Sequence, residues 1–445
     1  MKQRDVLLER WGGILARKAD SPAIFNTAGE IIRTFRQIED HARATESKMP
    51  AAKPHTLNPI QIGNHINWPS LFLACLRATR IVLPIDESVS QQQAAAAVSI
   101  AAGCSNVDWA DTPPILFKLT SGTTSAPRMI RFRSAQLLAD CDQICDTMGI
   151  TDDDLNFGVI PVSHSYGFSN LITPLIARGV PMVISRDRTP RAVLDDLART
   201  NATVFPGMPL FYQAFCEIEK VPALPKLRLC ISAGAPLPLA VAKKFRQRFG
   251  LSIHSFYGAS ECGGICYDRE GTLDIEGYVG SPMNAVEVEM IDPEAESSQV
   301  RLRSAAAGDG YFPEADEEKL GHNVFVPDDL LARCGDGFKI VGRISDVINV
   351  AGKKVNPVEI EDALLRIPGV RQAVAFGRTA AAGLRNEEVA ACVAGSAELK
   401  EAALLDACRK TLSAWQVPKR IFIVDVVPAN ERGKISRREL AKRFG

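Results

Sequence analysis

Residues 115–131 read ILFKLTSGTTSAPRMIR: an apolar run opens into a loop that packs five hydroxyl side chains and one glycine between Thr120 and Ser125. A short apolar run bounded by turn residues predicts a buried strand. The loop after it has the composition to offer backbone N–H groups and hydroxyls to phosphate oxygens, with Arg128 adding positive charge. A kinase-style phosphate loop requires two glycines five apart followed by Lys and Ser or Thr. No such run occurs, and Gly433-Lys434 is followed by Ile435. By composition alone, a Ser/Thr-rich surface turn is the plain alternative.

Outward from this loop, short apolar runs at 180–184, 202–205 and 227–231 alternate with helical patterns at 190–199 and 238–249. That alternation predicts parallel strands joined by crossover helices, hence an α/β body. Upstream, 6–17 and 35–48 carry helical periodicity, and the alanine run 94–97 belongs to a further helix. Downstream, 286–291 and 300–303 read as strands and 314–319 as an acidic loop. Past Arg343, a helix over 358–365 and strands over 373–376 and 420–424 make a smaller C-terminal domain. No fixed-period repeat is present, which removes solenoids and propellers.

With 445 residues the chain needs two or more domains. Its 46% apolar and 23% charged residues are those of a folded globular protein. Fifty-two basic residues balance fifty-two acidic ones, so no bulk field draws in nucleic acid or anionic lipid. The longest apolar stretch, 71–83, is broken by Arg77 and Arg80 and is too short to span a bilayer, so no stable membrane insertion is expected. Asp5 and Glu9 interrupt the N-terminal apolar residues, unlike a secretory signal, and a cytoplasmic location is expected. The eleven cysteines read as reduced, buried thiols; the Cys141/Cys145 and Cys262/Cys266 pairs lack a nearby third ligand for zinc.

TSGTTSAPR resembles the phosphate-loop signature of the ANL superfamily of adenylate-forming enzymes, which unites acyl-CoA synthetases, peptide-synthetase adenylation domains and luciferases. In the family pattern a glycine stands where Ser125 is found and a lysine where Arg128 is found. Further matching segments follow in the family's order: PVSHSYG around His164, SAGAPL from Ser232, FYGASE ending at Glu261, VGRISDVINVAGKKVNPVEIE from Val341, and PANERGKISRREL around Lys434. Within the superfamily the pattern is most similar to acyl- and aryl-CoA ligases.

The resemblance implies an α/β fold: a large N-terminal domain, 1–345, of parallel-sheet α/β subdomains plus a small β-barrel-like subdomain, and a small mobile α+β C-terminal domain, 346–445, pivoting at Asp346. It implies ATP and Mg2+ as cofactors. Thr120, Ser121, Gly122, Thr123, Thr124 and Arg128 would cradle the phosphates. Ser232, Gly234, Ala235, Pro236, Tyr257, Gly258 and Ser260 would complete the nucleotide site, with Tyr257 a stacking surface for the purine. Glu261 is a hard oxygen ligand suited to magnesium, and a surface salt bridge is its duller alternative. Asp329 holds the family's ribose-binding position, though the usual Thr-Gly before it is Pro327-Asp328, which leaves Asp328 and Asp329 both open; Arg343 is the second ribose contact. Lys434, by resemblance the catalytic lysine, would stabilise charge on the α-phosphate, with Thr124, His164 and Glu261 completing the catalytic set. The loop around Gly352 would serve thiol attack.

The implied activity is ATP-dependent activation of a carboxylic acid to acyl-AMP, then transfer to the thiol of coenzyme A or of a carrier protein's phosphopantetheine. Amino-acid-activating members place an aspartate near the position of His164; here Ser163 and Ser165 flank a histidine, so a buried substrate ammonium would lack its partner and an aryl or fatty acid is expected instead. Gly263 and Gly264 are expected to leave room for the acyl group, with Cys262, Tyr166 and Met208 as walls. Two other readings stand beside this one: a nucleotide-binding member with lost turnover, motivated by Ser125, Arg128 and Pro327-Asp328, and an adenylate-forming enzyme that makes no thioester.

Overall fold

Strands form where the sequence alternates apolar runs with turn residues, and three sheets result in the first of two compact units. A computed structural model describes residues 5–109, 112–119, 128–350, 353–379, 387–429 and 435–444. Lys434, Gly352 and the 120–127 loop, with every call made on them, lie outside the described residues. The first unit comprises Met1–Ile291, Val300–Pro327 and Arg333–Lys339; the second comprises Asp292–Gln299, Asp328–Ala332 and Ile340–Gly445.

In the first unit, strands Pro22–Phe25, Met182–Ile184, Asn156–Gly158, Val204–Gly207, Leu229–Ser232 and Ile253–Ala259 lie side by side and parallel. Helices Pro190–Thr200, Pro209–Glu217 and Leu239–Phe249 make the connections between them, the βαβ logic read from the sequence. The sheet continues antiparallel through Gly263–Tyr267 and Tyr278–Pro282. A five-stranded sheet holds Leu57–Ile60, Ile81–Pro84 and Leu116–Leu119 in parallel, then Met129–Phe132 and Tyr311–Phe312 antiparallel. A four-stranded antiparallel sheet of Glu287–Met290, Val300–Arg303, Val324–Phe325 and Leu320–Gly321 is the small β subdomain.

The N-terminal helices appear where their periodicity placed them, as Val6–Lys18 and Phe35–Glu46. Asp5 caps the first and a Thr34–Gln37 capping box starts the second. Glu39, 6% exposed, is held by Trp11 Nε1 at 2.8 Å, Arg77 Nη2 at 2.6 Å and Arg43 Nε at 2.6 Å. A buried carboxylate so fully paired ties three helices together, and stripping one partner from such a site costs about 3–5 kcal/mol.

The second unit is built on one sheet of Val370–Thr379, Glu387–Gly395 and Arg420–Val424. Successive side chains point to opposite faces. Ala373, Ala375, Val389, Ala391, Val393 and Ile421 pack one cluster with Ile360 and Leu364 of helix Pro357–Leu365, and with Ile348 and Val355 of the hairpin Ile348–Val350/Lys353–Val355. Val374, Phe376, Ala390, Cys392 and Ala394 pack the other with Val427 and with Leu440 of helix Arg437–Phe444. Ten of the eleven cysteines are buried and all are free. Burial pushes the thiols of Cys230 and Cys266 up to about 12, which makes them inert packing groups. Among the described residues no helix is long and apolar enough to cross a membrane, and no cluster of three or more His, Cys, Asp or Glu side chains is arranged to hold a metal.

Candidate active site

Gly207, Ser232 and Ser255 occupy equivalent rungs of the parallel ladder, where two of the strands end and the third, Ile253–Ala259, runs on alone in the parallel direction. Ligand sites in open parallel sheets gather beyond such carboxyl ends. Ser232 is 3% exposed, and among the described residues its hydroxyl has no hydrogen-bond partner. A buried orphan hydroxyl costs free energy unless something satisfies it, so its position suits a ligand's polar atom. Gly234, at φ +84°, turns the chain immediately afterwards and leaves Gly234, Ala235 and Pro236 exposed.

The next strand carries Tyr257, 7% exposed, and leads into the turn that presents Ser260 and Glu261 before the chain reverses into Gly263–Tyr267. A glycine is required at 263: φ is +70°, and a Cβ there would overlap the Asp140 carboxylate. Asp140, 2% exposed, accepts the Gly264 N–H at 3.1 Å and the Ser169 hydroxyl at 2.5 Å. A Cβ at Gly264 would run into Met283 Sδ and the Phe256 ring. The expectation that these two glycines open space for an acyl group is therefore corrected: Asp140, Met283 and Phe256 fill that space, and the missing side chains serve a tight strand reversal. Gly258 faces the Gly263 carbonyl in the same way.

Glu261 is thus fixed on a rigid turn. Its Oε1 accepts the Tyr311 hydroxyl at 3.2 Å, and its backbone carbonyl accepts the Gly308 N–H at 2.8 Å. Burial, reinforced by the Glu261 charge, pushes the Tyr311 phenol far above its usual value, so the hydroxyl stays protonated and donates. The Arg128 guanidinium stacks 4.0 Å from the Tyr311 ring centroid, with Nη2 donating to the Glu314 carbonyl at 3.4 Å. Strand pairing of Tyr311 with Ile130 brings Arg128 and Tyr311 together from distant parts of the sequence. The residue after the loop thus reaches the candidate metal carboxylate through one aromatic ring. Magnesium takes few protein ligands and keeps water and phosphate oxygens. A single anchored carboxylate fits that habit.

Ser260 Oγ lies 2.7 Å from Ser165 Oγ, linking the Glu261 turn to the short helix Ser165–Gly167. His164 precedes this helix; it is exposed, and its Nδ1 accepts the Tyr166 N–H at 3.2 Å. Tyr166 is buried, donating its hydroxyl to the Gly207 carbonyl at 3.1 Å with its ring 5.9 Å from that of Phe256. Lys118, on the strand entering the loop, is 5% exposed and sits 4.4 Å from the Phe132 ring centroid. Burial lowers its pKa, against the pull of Asp140 and the neighbouring charges.

In the second unit, Asp329 is 6% exposed, and its Oδ1 accepts Arg343 Nε at 2.6 Å. Asp328 is partly exposed, and its backbone carbonyl accepts the Ile344 N–H at 2.8 Å. Of the two candidate aspartates, Asp329 is the one whose carboxylate meets the candidate ribose arginine. Asp346 Oδ2 accepts Arg437 Nη1 at 2.5 Å.

Comparison with known proteins decides the kinship. The family model described as "AMP-binding enzyme" matches residues 96–302, and that described as "AMP-binding enzyme C-terminal domain" matches 359–434. The chain belongs to the ANL superfamily of adenylate-forming enzymes. It is 29% identical over 348 residues to a probable CoA ligase from Humulus lupulus, covering 74% of this chain and 66% of that protein. It is 28% identical over 344 residues to a 3,4-dihydroxybenzoate–[aryl-carrier protein] ligase from Bacillus anthracis, covering 75% of each. Among solved structures, ATP-bound MatB from Rhodopseudomonas palustris superposes with a TM-score of 0.84 at 22% identity, over 98% of both chains, so the α/β fold expected from the sequence is shared with it. The curated relatives are named as acid–thiol ligases, the class expected from the motifs.

Against this adenylate-forming frame, the residues that sequence reasoning missed are Tyr311, Asp140, Glu361 and Arg437. The first two hold Glu261 and its turn. The other two surround Asp346.

Proposed function

We propose that this chain activates a small carboxylic acid with ATP, releasing pyrophosphate, and then passes the acyl group to the thiol of coenzyme A or of a carrier protein's phosphopantetheine arm. The observation that carries the reading is the Arg128–Tyr311–Glu261 assembly after the last parallel strand, taken together with the orphan hydroxyl of Ser232 at the end of the strand before it.

In the first half-reaction a substrate carboxylate oxygen attacks the α-phosphorus of ATP, and the bond to the pyrophosphate oxygen breaks. Arg128, with residues 120–124, holds the phosphates. Ser232, the exposed backbone of 234–236 and Tyr257 hold the base side of the nucleotide, and Asp329 with Arg343 takes the ribose hydroxyls. Glu261 would hold Mg2+, which when bound neutralises phosphate charge. Lys434 meets the negative charge that develops on the α-phosphate; phosphoryl-type attack needs this electrostatic help more than proton transfer. In the second half-reaction the thiol sulfur attacks the acyl carbonyl, the bond to AMP breaks, and the thiol proton leaves to solvent. We place residue 346 at the hinge between a large domain, 1–345, and a small one, 346–445, so that Lys434 and the Gly352 loop serve the two half-reactions in turn.

His164, exposed and fixed by the Tyr166 N–H, lines the way to the acyl group; with no carboxylate in its place an amino-acid substrate is disfavoured. Reduced, buried thiols suit a cytoplasmic enzyme. The test is pyrophosphate release by pure protein with magnesium-ATP across a panel of aryl, cinnamate-like and fatty acids, with coenzyme A and carrier proteins supplied separately. Acid-dependent release is expected. Tight ATP binding with no release from any acid would overturn the proposal in favour of a nucleotide-binding member without turnover.

A further inference from the structure

Arg437 occupies the first position of helix Arg437–Phe444. A cation there opposes the helix dipole, which favours negative charge at an N-terminus. Its side chain is nevertheless only 26% exposed and is held by four hydrogen bonds: Nη1 to Asp346 Oδ2 at 2.5 Å, Nη2 to Glu361 Oε1 at 2.8 Å and Oε2 at 3.0 Å, and Nε to the Ala375 carbonyl at 3.0 Å. Glu361, 13% exposed at its side chain, also accepts the Ala375 N–H at 2.8 Å. One guanidinium therefore joins the turn Ile344–Asp346, the helix Pro357–Leu365, the edge strand Val370–Thr379 and the last helix. Two carboxylates converge on one cation in a largely buried setting, an arrangement that costs desolvation and is kept only where the geometry is well satisfied.

We propose that Arg437 is a positioning residue for adenylation: it fixes the start of the last helix, three residues after Lys434, to the Asp346 side chain, so that the lysine-bearing end moves with the hinge as one body. This inference rests on the adenylation role of Lys434 proposed above. The hairpin on either side of Gly352 has an anchor of its own besides the flanking Asp346 and Glu361 contacts, Ile348 and Val355 in the apolar cluster on the opposite face of the sheet, and this anchor does not involve Arg437. Loss of Arg437 should therefore weaken one functional end of the unit and spare the other. A residue serving only stability would not separate the two.

The experiment compares Arg437→Ala, Arg437→Lys and Lys434→Ala with the wild type in two separate assays, adenylate formation from acid and ATP, and thioester formation from supplied acyl-adenylate. Misplacement of a reacting group by about 1 Å costs roughly a hundredfold. Arg437→Ala should lower kcat for adenylation by roughly tenfold to a hundredfold while thioester formation stays within about threefold. Arg437→Lys, which can reach one carboxylate but not span both, should recover part of the loss. A readout independent of activity is tryptic cleavage after Arg438, inside the last helix, which should become several-fold faster in Arg437→Ala. Equal loss of both half-reactions in either Arg437 variant, or unchanged adenylation and unchanged cleavage in Arg437→Ala, overturns the inference. If Arg437→Ala does not fold, Arg437→Lys decides by the same split. A wild type that forms no adenylate with any acid would defeat the proposed activity, and the cleavage rates would still judge the anchor.

Discussion

Arg343 and Arg437 lie in the same unit, each against a buried carboxylate, yet they are built for different work. Arg343 holds Asp329 through Nε at 2.6 Å while its side chain stays 51% exposed. Arg437 turns Nε and both terminal nitrogens onto protein acceptors and is 26% exposed. The planar fork of arginine can either present donors to a ligand or knit several segments together. The half-open arginine beside a buried aspartate suits a hydroxyl-rich ligand, and the enclosed one suits a joint. Fold and sequence spacing alone would have treated the two alike.

The largest expected effect sets the scale for that contrast. Lys434→Ala should reduce adenylate formation by about a hundredfold to a thousandfold, the usual cost of removing a positioned transition-state donor, while supplied acyl-adenylate is still converted to thioester. Single-turnover assays of the two half-reactions check it. Equal loss in both would contradict a domain used in two stances and remove the basis for distinguishing Arg437 from Arg343. Arg343→Ala should behave differently from either lysine or Arg437 variants. Because the nucleotide is present in both half-reactions, it should raise KM for ATP and for acyl-adenylate alike, by about tenfold each, the equivalent of about 1.4 kcal/mol of lost binding. A change confined to adenylation kcat would move Arg343 into the same class as Arg437.

Much of this was legible beforehand, and the boundary of legibility is instructive. Strands Val300–Arg303 and Arg420–Val424 fall where the pattern put them because alternation or an apolar run is a local property. The βαβ order followed from the same local signals, and the motif order gave the family. What the sequence could not say is what fills a gap. Gly263 and Gly264 read as absent bulk, but whether a ligand or the protein's own atoms occupy the space depends on Asp140, more than a hundred residues away. Tyr311 carried no signal either, since its value lies in a strand pairing with Ile130 and a hydroxyl that reaches Glu261. Arg437 did leave a trace: a basic residue in the first turn of a helix is electrostatically misplaced, and a misplaced charge asks for nearby carboxylates.

Glu361 offers the finest cut through the joint, with the smallest effect. Burial raises its pKa above the usual 4.5, the Asp346 charge adds to that, and the Arg437 guanidinium and the Ala375 N–H pull the other way without prevailing. For a carboxyl whose folded value is raised, the stabilising contribution is complete below the unfolded value and is lost as pH rises through the folded one. The ionised carboxylate at neutral pH is thus a cost to stability, borne to hold Arg437. Glu361→Gln keeps an acceptor for the guanidinium and removes the charge. Its melting temperature should therefore match or exceed that of the wild type at pH 7, and the difference between the two proteins should shrink as pH falls toward 4.5. Adenylation should drop only about threefold, well short of Arg437→Ala, because Asp346 and the Ala375 carbonyl still hold the arginine. Thermal melts of both proteins across pH, beside the half-reaction assays, test this. A glutamine variant that melts far below the wild type at pH 7 would mean that the ion pair itself sustains the unit, and Arg437 would then be a stabilising residue rather than a positioning one.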